Sequence, residues 1–286
     1  MSAERVRAAF DRAAAEGRAA SKGRAAFVAY LTAGFPDAER SLAAAQTLAR
    51  HADLIELGLP FSDPLGDGPT IQRASEVALA AGASTATTLA MVRALRRTTD
   101  VPVAVMTYYN PVYAYRGPAG SGERAFVRDA AEAGVEALIL PDLPPDEGET
   151  LIEAAREADV ATVFLVAPTS TDARIRLVTE ACTGFVYAVS VTGVTGARDG
   201  VPEEVAGLVR RARAAGGLPV AVGFGVASPE TAARVGQVAD GVVVGSALVE
   251  LVGRMTAASD VAALDAFAGA LAAALRAGTA VSRREA

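Results

Sequence analysis

Two carboxylates, Glu56 and Asp67, are the side chains best placed to do chemistry. Glu56 interrupts the apolar run "DLIELGLP" (53–60), and the alternation of side chains along a strand places it on one face with Leu54 and Gly58. Burial would raise the pKa of Glu56, which suits a group that exchanges a proton near neutral pH. The alternative is a structural carboxylate whose charge an arginine or backbone amides satisfy.

Asp67 lies in "LGDGPT" (65–70), where Gly68, Pro69 and Thr70 begin a predicted helix. Proline suits the first helical position, and an acid near it interacts well with the helix dipole, so we expect Asp67 to stay ionised. The alternative role for Asp67 is a helix cap. Together the two residues predict one acid that tends to be neutral beside one that stays negative, which separates acid and base roles.

Glycine-bearing segments indicate a phosphate site. They are "SVTGVTGARDG" (190–200), "VGFGVASPETA" (222–232) and "VVGSALVEL" (243–251), and the last two are predicted to run directly from strand to helix. Glycine lets backbone N–H groups approach an anion, and a helix N-terminus adds partial positive charge. The predicted phosphate ligands are Gly225, Gly245 and Ser246, with Gly196 from the first segment, which could also close as a lid. Glycines are equally what tight strand-to-helix turns need.

The elements that must position these residues alternate along the chain. Eight apolar runs are each followed by a helical pattern, which predicts a parallel sheet with crossover helices. The predicted strands are 26–31, 53–59, 101–108, 136–141, 161–167, 184–190, 218–224 and 240–245. Eight such units fit an α/β (β/α)₈ TIM barrel, whose active site lies at the carboxyl ends of the strands. We expect a single domain over 1–286, with an extra N-terminal helix (2–16) on the barrel floor; an open doubly wound sheet is the alternative.

Composition excludes several kinds of chemistry. The net charge of −6 argues against nucleic acid as a partner, and we expect no metal site because His51 and Cys182 are the only residues of their types. Both precede predicted strands, as does Lys22, the only lysine, so all three belong to the floor rather than the active end. Schiff-base and Ser-His-Asp mechanisms are therefore not expected. No uncharged apolar stretch approaches about 20 residues, so we expect a cytoplasmic protein that does not enter a membrane.

The tyrosines cluster near the predicted active end. All six fall on predicted strands or on the loops that follow them, and four lie in "MTYYNPVYAYRG" (106–117). They could line an aromatic pocket or meet a protein partner, and the alternative is loop packing. The six are Tyr30, Tyr108, Tyr109, Tyr113, Tyr115 and Tyr187.

Taken together, "ELGLPFSDPLGDGPTIQ", "SVTGVTG", "GFG" and "VVGSALV" closely resemble the tryptophan synthase alpha subunit family. The resemblance extends over nearly the whole chain, and it implies cleavage of indole-3-glycerol phosphate to indole and glyceraldehyde 3-phosphate. It also implies roles for the predicted site. Glu56 would transfer the proton and Asp67 would hold the indole nitrogen. Substrate contacts would come from Tyr187, Tyr30, Gly196, Gly225, Gly245 and Ser246, with Tyr108 as a further expected contact.

The resemblance further implies no cofactor on this chain and a PLP-dependent beta subunit as partner in an alpha2beta2 complex. The loop after the second strand and the segment 108–118 would meet that partner. Three other functions stay open from the residues: another phosphate-binding barrel enzyme, a free indole-releasing lyase, and a barrel kept only for binding. The first would want a lysine acid or a different acid pair, and intact Glu56 and Asp67 argue against the last.

Overall fold

The computed structural model describes residues 2–16, 23–189, 201–223 and 225–281. Eight strands form the barrel: β1 Ala26–Thr32, β2 Leu54–Gly58, β3 Val103–Met106, β4 Ala137–Leu140, β5 Ala161–Val166, β6 Val186–Val189, β7 Val220–Gly223 and β8 Gly241–Val244. The helices described are α1 Ser2–Ala15, α2 Ala38–Leu48, α3 Pro69–Ala80, α4 Thr85–Arg96, α5 Tyr109–Tyr113, α6 Gly122–Ala133, α7 Glu149–Glu157, α8 Asp172–Ala181, α9 Glu203–Gly216, α10 Pro229–Val238, α11 Ser246–Gly253 and α12 Ala262–Val281. A 3₁₀ turn (Pro145–Glu147) precedes α7, and a two-residue ladder pairs Arg116–Gly117 with Gly120–Ser121.

The strands close into a parallel barrel in which each neighbours the next in the chain and β8 pairs with β1. All eight predicted strands are present, each within three residues of its predicted bounds at either end. The predicted TIM barrel with an N-terminal helix is confirmed, and the open-sheet alternative is excluded because no edge is left between β1 and β8.

Burial divides into an inner and an outer layer. Inward side chains of the strands form one apolar cluster inside the barrel, while outward side chains pack with the helices in a second. Helix α1 contributes Val6, Phe10 and Ala13 to the inner cluster, and the Phe10 ring lies 5.2 Å from that of Phe185 on the floor side of β6. The apolar face of the amphipathic helix α1 therefore covers the floor of the barrel, as predicted.

Carboxylates that precede even-numbered strands tie the floor together. Asp53, before β2, accepts a hydrogen bond from the N–H of Phe27 on β1 at 2.8 Å and forms a bidentate ion pair with Arg24. Asp240, before β8, does the same with Val220 on β7 and Arg213. Each carboxylate therefore links two neighbouring strands, and these charged contacts stabilise the floor of the barrel. They do not occupy the opposite rim.

Glu136, before β4, repeats the arrangement at the third pair of strands. It accepts the N–H of Val103 on β3 at 2.8 Å and pairs with Arg96 at 3.0 Å and Arg5 at 2.7 Å. Because Arg5 belongs to α1, this buried glutamate also fastens the floor helix to the barrel.

The remaining floor residues lie where the sequence predicted. His51 contacts Asp265 of α12 at 2.7 Å, and Cys182 is buried at the end of α8. Lys22 falls outside the described residues. Within the described ranges no single helix is long and apolar enough to cross a membrane; α3 and α4 pass that test only as a pair, and they are bent by 98°.

Candidate active site

Glu56 points into the barrel from the middle of β2 and is fully buried. It lies between Tyr30 on β1 and Ala104 on β3 in the parallel register. Neither carboxylate oxygen has a hydrogen-bond partner in the described part of the chain, so the alternative of a satisfied structural glutamate fails there. Burial, and secondarily the charge of Asp67, raise the pKa of Glu56 to about 8.

Asp67 lies in the loop that joins β2 to α3. Helix α3 begins at Pro69 as predicted, but its N-cap is Gly68 and no side chain caps it, so Asp67 is not a helix cap. The helix was expected to keep Asp67 fully ionised; instead burial raises its pKa to about 6, against hydrogen bonding from Tyr108 that lowers it. Asp67 still remains the more acidic of the two residues, so the predicted order of their protonation is retained.

One cavity of about 260 Å³ at the carboxyl end of the barrel brings most of the predicted residues together. Its wall includes Tyr30, Glu56, Asp67, Tyr187, Gly225, Gly245 and Ser246. Sequence reasoning missed its apolar wall, which Ile71, Met106 and Val243 supply. The alternation of side chains along β3 and β8 could have indicated Met106 and Val243. Each points into the barrel, on the same face as inner-cluster residues of its own strand or of a neighbouring strand.

Tyr30 and Tyr187 fit the cavity because glycines of neighbouring strands make room for them. A Cβ at Gly58 of β2 would overlap the Tyr30 hydroxyl, and one at Gly223 of β7 would overlap that of Tyr187. Both phenols are buried, and burial raises their pKa values well above the ordinary one, so both are neutral hydroxyls at physiological pH. These glycine roles are visible only in three dimensions.

Three of the predicted phosphate ligands, Gly225, Gly245 and Ser246, line this cavity. Gly245 alone separates β8 from α11, and Ser246 is the first residue of that helix, so the predicted strand-to-helix turn is present here. The prediction was wrong for the turn after β7, because α10 begins only at Pro229, with Ser228 as its cap. Gly225 instead takes a left-handed backbone angle (φ +79°) that glycine favours. Gly196, and with it the predicted lid, lies outside the described residues.

The other tyrosines have separate places. Tyr108 lies beside Asp67 in a small neighbouring chamber rather than on the wall of the main cavity. Tyr115 is buried and donates its hydroxyl to Asp129 at 2.7 Å, so loop packing explains it. The Tyr109 hydroxyl donates a hydrogen bond to Glu123, whereas Tyr113 is 67% exposed. Within the described ranges no three His, Cys, Asp or Glu side chains cluster as metal ligands do.

Comparison with known proteins identifies the family. The tryptophan synthase alpha chain family model matches residues 17–276. The tryptophan synthase alpha chain of Deinococcus radiodurans is 54% identical over 262 residues, covering 91% of this chain and 92% of the relative. That of Pelobacter propionicus is 49% identical over 227 residues, covering 79% and 83%. The chain belongs to the tryptophan synthase alpha chain family.

Solved structures agree with that assignment. A tryptophan synthase crystal structure from Mycobacterium tuberculosis superposes with a TM-score of 0.82 at 42% identity, covering 95% of this chain and 98% of that one. A structure from Aquifex aeolicus gives a TM-score of 0.83 at 39% identity, with 95% and 99% covered. As a tryptophan synthase alpha chain, the protein is a carbon–carbon lyase of tryptophan biosynthesis.

Proposed function

We propose that the cavity holding Glu56 and Asp67 is where this chain cleaves indole-3-glycerol phosphate into indole and glyceraldehyde 3-phosphate. The observation that carries the proposal is a fully buried glutamate, with neither oxygen hydrogen-bonded to a described residue, sharing a cavity with a second acid. Burial of an acid without a structural partner costs stability, and acids of this kind are concentrated at functional sites. Its pKa of about 8 keeps it protonated near neutral pH, ready to donate.

The substrate's ring suits the apolar part of this cavity. Met106, Ile71 and Val243 offer a dry surface for a planar aromatic group, and the Asp67 carboxylate can accept its single N–H. Glu56 delivers its proton to ring carbon C3, which makes the ring cationic and an electron sink. The negative charge of Asp67 stabilises that cation in a site with little water.

Bond cleavage then balances without a further reagent. Glu56, now a carboxylate, removes the proton from the side-chain hydroxyl next to C3. The oxygen's electron pair forms the aldehyde, the carbon–carbon bond breaks, and its electrons restore the neutral indole ring. Glu56 ends the cycle protonated, as it began. These steps require no metal and no cofactor of this chain.

Backbone groups support binding of the phosphate at the other end of the cavity. Helix α11 begins at Ser246, so the partial positive charge of its N-terminus lies beside Gly245 and Ser246, and glycine at 225 lets the main chain approach an anion closely. The ring and the phosphate would thus be held at two ends of one cavity, with the bond to be broken between them. Gly196 stays a predicted further contact.

We further propose that a PLP-dependent beta subunit, in an alpha2beta2 complex, receives the indole. Two large apolar side chains stand exposed near the active end: Leu65, 93% exposed, in the loop after β2, and Tyr113 on α5. Exposed apolar groups beside a cavity mouth suit a protein contact. Tyr113→Ser should raise the concentration of beta subunit needed for half-maximal activation, and an unchanged concentration would oppose this surface. We expect the complex to act in the cytoplasm.

An indole-release assay with indole-3-glycerol phosphate tests the reaction directly. The unaltered chain should release indole, and Glu56→Gln should release it at least about 10²-fold more slowly, the usual effect of a positioned acid–base group. Calorimetric binding of the substrate to the Gln variant separates lost chemistry from lost binding. Near-normal turnover by Glu56→Gln would overturn its role, whereas failure of the unaltered chain to bind the substrate would overturn the assignment of the cavity.

A further inference from the structure

Asp67 must be held over the cavity by a loop, because residues 59–68 form neither helix nor strand. Main-chain contacts hold that loop's path. Leu59 donates its N–H to the Met106 carbonyl at 2.8 Å, and the N–H of Asp67 reaches the Pro64 carbonyl at 3.1 Å. The Gln72 side-chain amide donates to the Asp67 carbonyl at 2.9 Å. None of these contacts orients the Asp67 carboxylate.

The Tyr108 side chain contacts the same loop from just after β3. Its hydroxyl accepts the N–H of Gly66 at 2.9 Å, one residue before Asp67, and its ring lies 5.4 Å from that of Phe61 in the same loop. A Cβ at Gly66 would come within 3.2 Å of the hydroxyl, so a glycine permits this approach. A hydroxyl that accepts from Gly66 still has its own proton to donate, and Tyr108 and Asp67 line the same small chamber.

Tyr108 is itself held by contacts with the segment that follows the neighbouring strand β4. It is the residue before α5, whose first N–H, that of Tyr109, donates to both oxygens of Asp142 at 2.9 and 3.2 Å. The Thr107 hydroxyl donates to the Tyr108 carbonyl at 2.9 Å. These contacts fix the backbone from which the phenol reaches the Asp67 loop, and Tyr108 is only 7% exposed.

We propose that Tyr108 is a positioning residue, which holds the loop that carries Asp67 in place over the cavity, rather than a residue that touches substrate. This inference rests on the proposed function of Asp67. It differs from the expectation that Tyr108 contacts the ring, and its place in the small chamber beside the main cavity supports the difference.

The groups around Asp67 predict the direction in which its pKa should change when the Tyr108 hydroxyl is removed. The titratable groups that face it are Glu56 from β2, Tyr30 from β1, Tyr187 from β6 and Tyr108. Of the described groups, hydrogen bonding from Tyr108 is what opposes the effect of burial on the Asp67 pKa. Loss of this hydroxyl should therefore move ionisation of Asp67 to higher pH.

Tyr108→Phe tests this, because the ring and its contact with Phe61 remain. The acid limb of kcat/KM for indole release should move up by roughly 0.5–1 pH unit, and kcat should fall about 10-fold through the misplaced carboxylate. Binding of glycerol 3-phosphate, which addresses the other end of the cavity, should not change. The control is Tyr115→Phe, which removes from the same segment a hydroxyl that contacts Asp129 and not the Asp67 loop. The acid limb of this variant should stay where it is in the unaltered chain.

Asp67→Asn separates failure of this inference from failure of the proposed function. If Asp67→Asn abolishes the acid limb while Tyr108→Phe leaves it unmoved, Tyr108 is not a positioning residue and the role of Asp67 stands. If the acid limb persists in Asp67→Asn, the proposed role of Asp67 fails. A Tyr108→Phe profile that coincides with that of Tyr115→Phe would likewise overturn the inference.

Discussion

Glu56 on β2 lies in register with Tyr30 on β1, so the buried carboxyl group has a neutral phenol beside it instead of an arginine. At the floor, by contrast, arginines pair with three buried or half-buried carboxylates, Asp53, Glu136 and Asp240. This separation leaves Glu56 without a described cation beside it, so no such charge offsets the rise in its pKa that burial and, secondarily, the charge of Asp67 cause.

The two acids predict a bell-shaped pH dependence of kcat/KM. Activity needs Asp67 ionised and Glu56 protonated, so it should rise through a pKa of about 6 and fall through one of about 8. Because the groups interact, the two limbs belong to the pair as a whole. Initial rates of indole release between pH 5 and 9.5 check this, and a profile that keeps rising above pH 8.5 would contradict it.

Glu56→Gln should change how stability depends on pH. The folded-state pKa of Glu56, about 8, lies above the ordinary value of 4.5, so between these values the folded chain binds more protons than the unfolded one. The free energy of unfolding then falls as pH rises through this window. Glutamine removes that loss, so the variant should have the higher Tm at pH 8.5 and a similar Tm at pH 5.

Thermal unfolding of both proteins at several pH values measures the difference. Glu149→Gln is a suitable control, because it makes the same substitution at an exposed position of α7. A Tm difference between Glu56→Gln and the unaltered chain that is constant from pH 5 to 8.5 would show that Glu56 does not titrate in this range.

Asp67→Asn should shift the alkaline limb as well as slow the reaction. The charge of Asp67 is the smaller of the two causes that raise the pKa of Glu56, after burial. Without that charge the alkaline limb should move below pH 8 but stay well above 4.5. Residual indole release at high enzyme concentration measures the limb, and a shift to higher pH would mean that the two acids do not interact as described.

Gly58→Ala should damage the site through Tyr30. The added Cβ would overlap the phenol's oxygen, so the ring must leave its place beside Glu56, and overpacking of this kind costs about 1–3 kcal/mol. We expect kcat/KM to fall at least about 10-fold, with a lower Tm. Gly207→Ala on α9 is the matched control, since its Cβ would meet only the end of an arginine at 3.8 Å.

A combined variant checks the cause. Tyr30→Phe together with Gly58→Ala removes the overlapping oxygen, so part of the lost Tm should return even though ring atoms remain close. If the double variant is no more stable than Gly58→Ala alone, contact with the Tyr30 hydroxyl is not what makes glycine necessary at 58.

Much of the architecture could be predicted from local patterns. Apolar runs alternating with amphipathic segments were enough for eight parallel strands, because strands covered on both faces need apolar residues throughout. The same reasoning placed Glu56 inside the barrel, since side chains alternate along a strand. It also located Gly245 and Ser246, where strand and helix follow each other directly.

What lay beyond the sequence depends on neighbours distant in the chain. The pKa of Asp67 was misjudged because burial outweighs the nearby helix N-terminus, and burial is a property of the assembled loop. Tyr108 meets Gly66 across 42 positions, and Tyr30 meets Gly58 across 28; neither spacing is a periodic signal. Composition and periodicity thus determined the barrel and the identity of its acids. Only the closed structure decided which groups surround those acids and therefore when each one ionises, since an ionisation equilibrium depends on every charge, dipole and water molecule nearby.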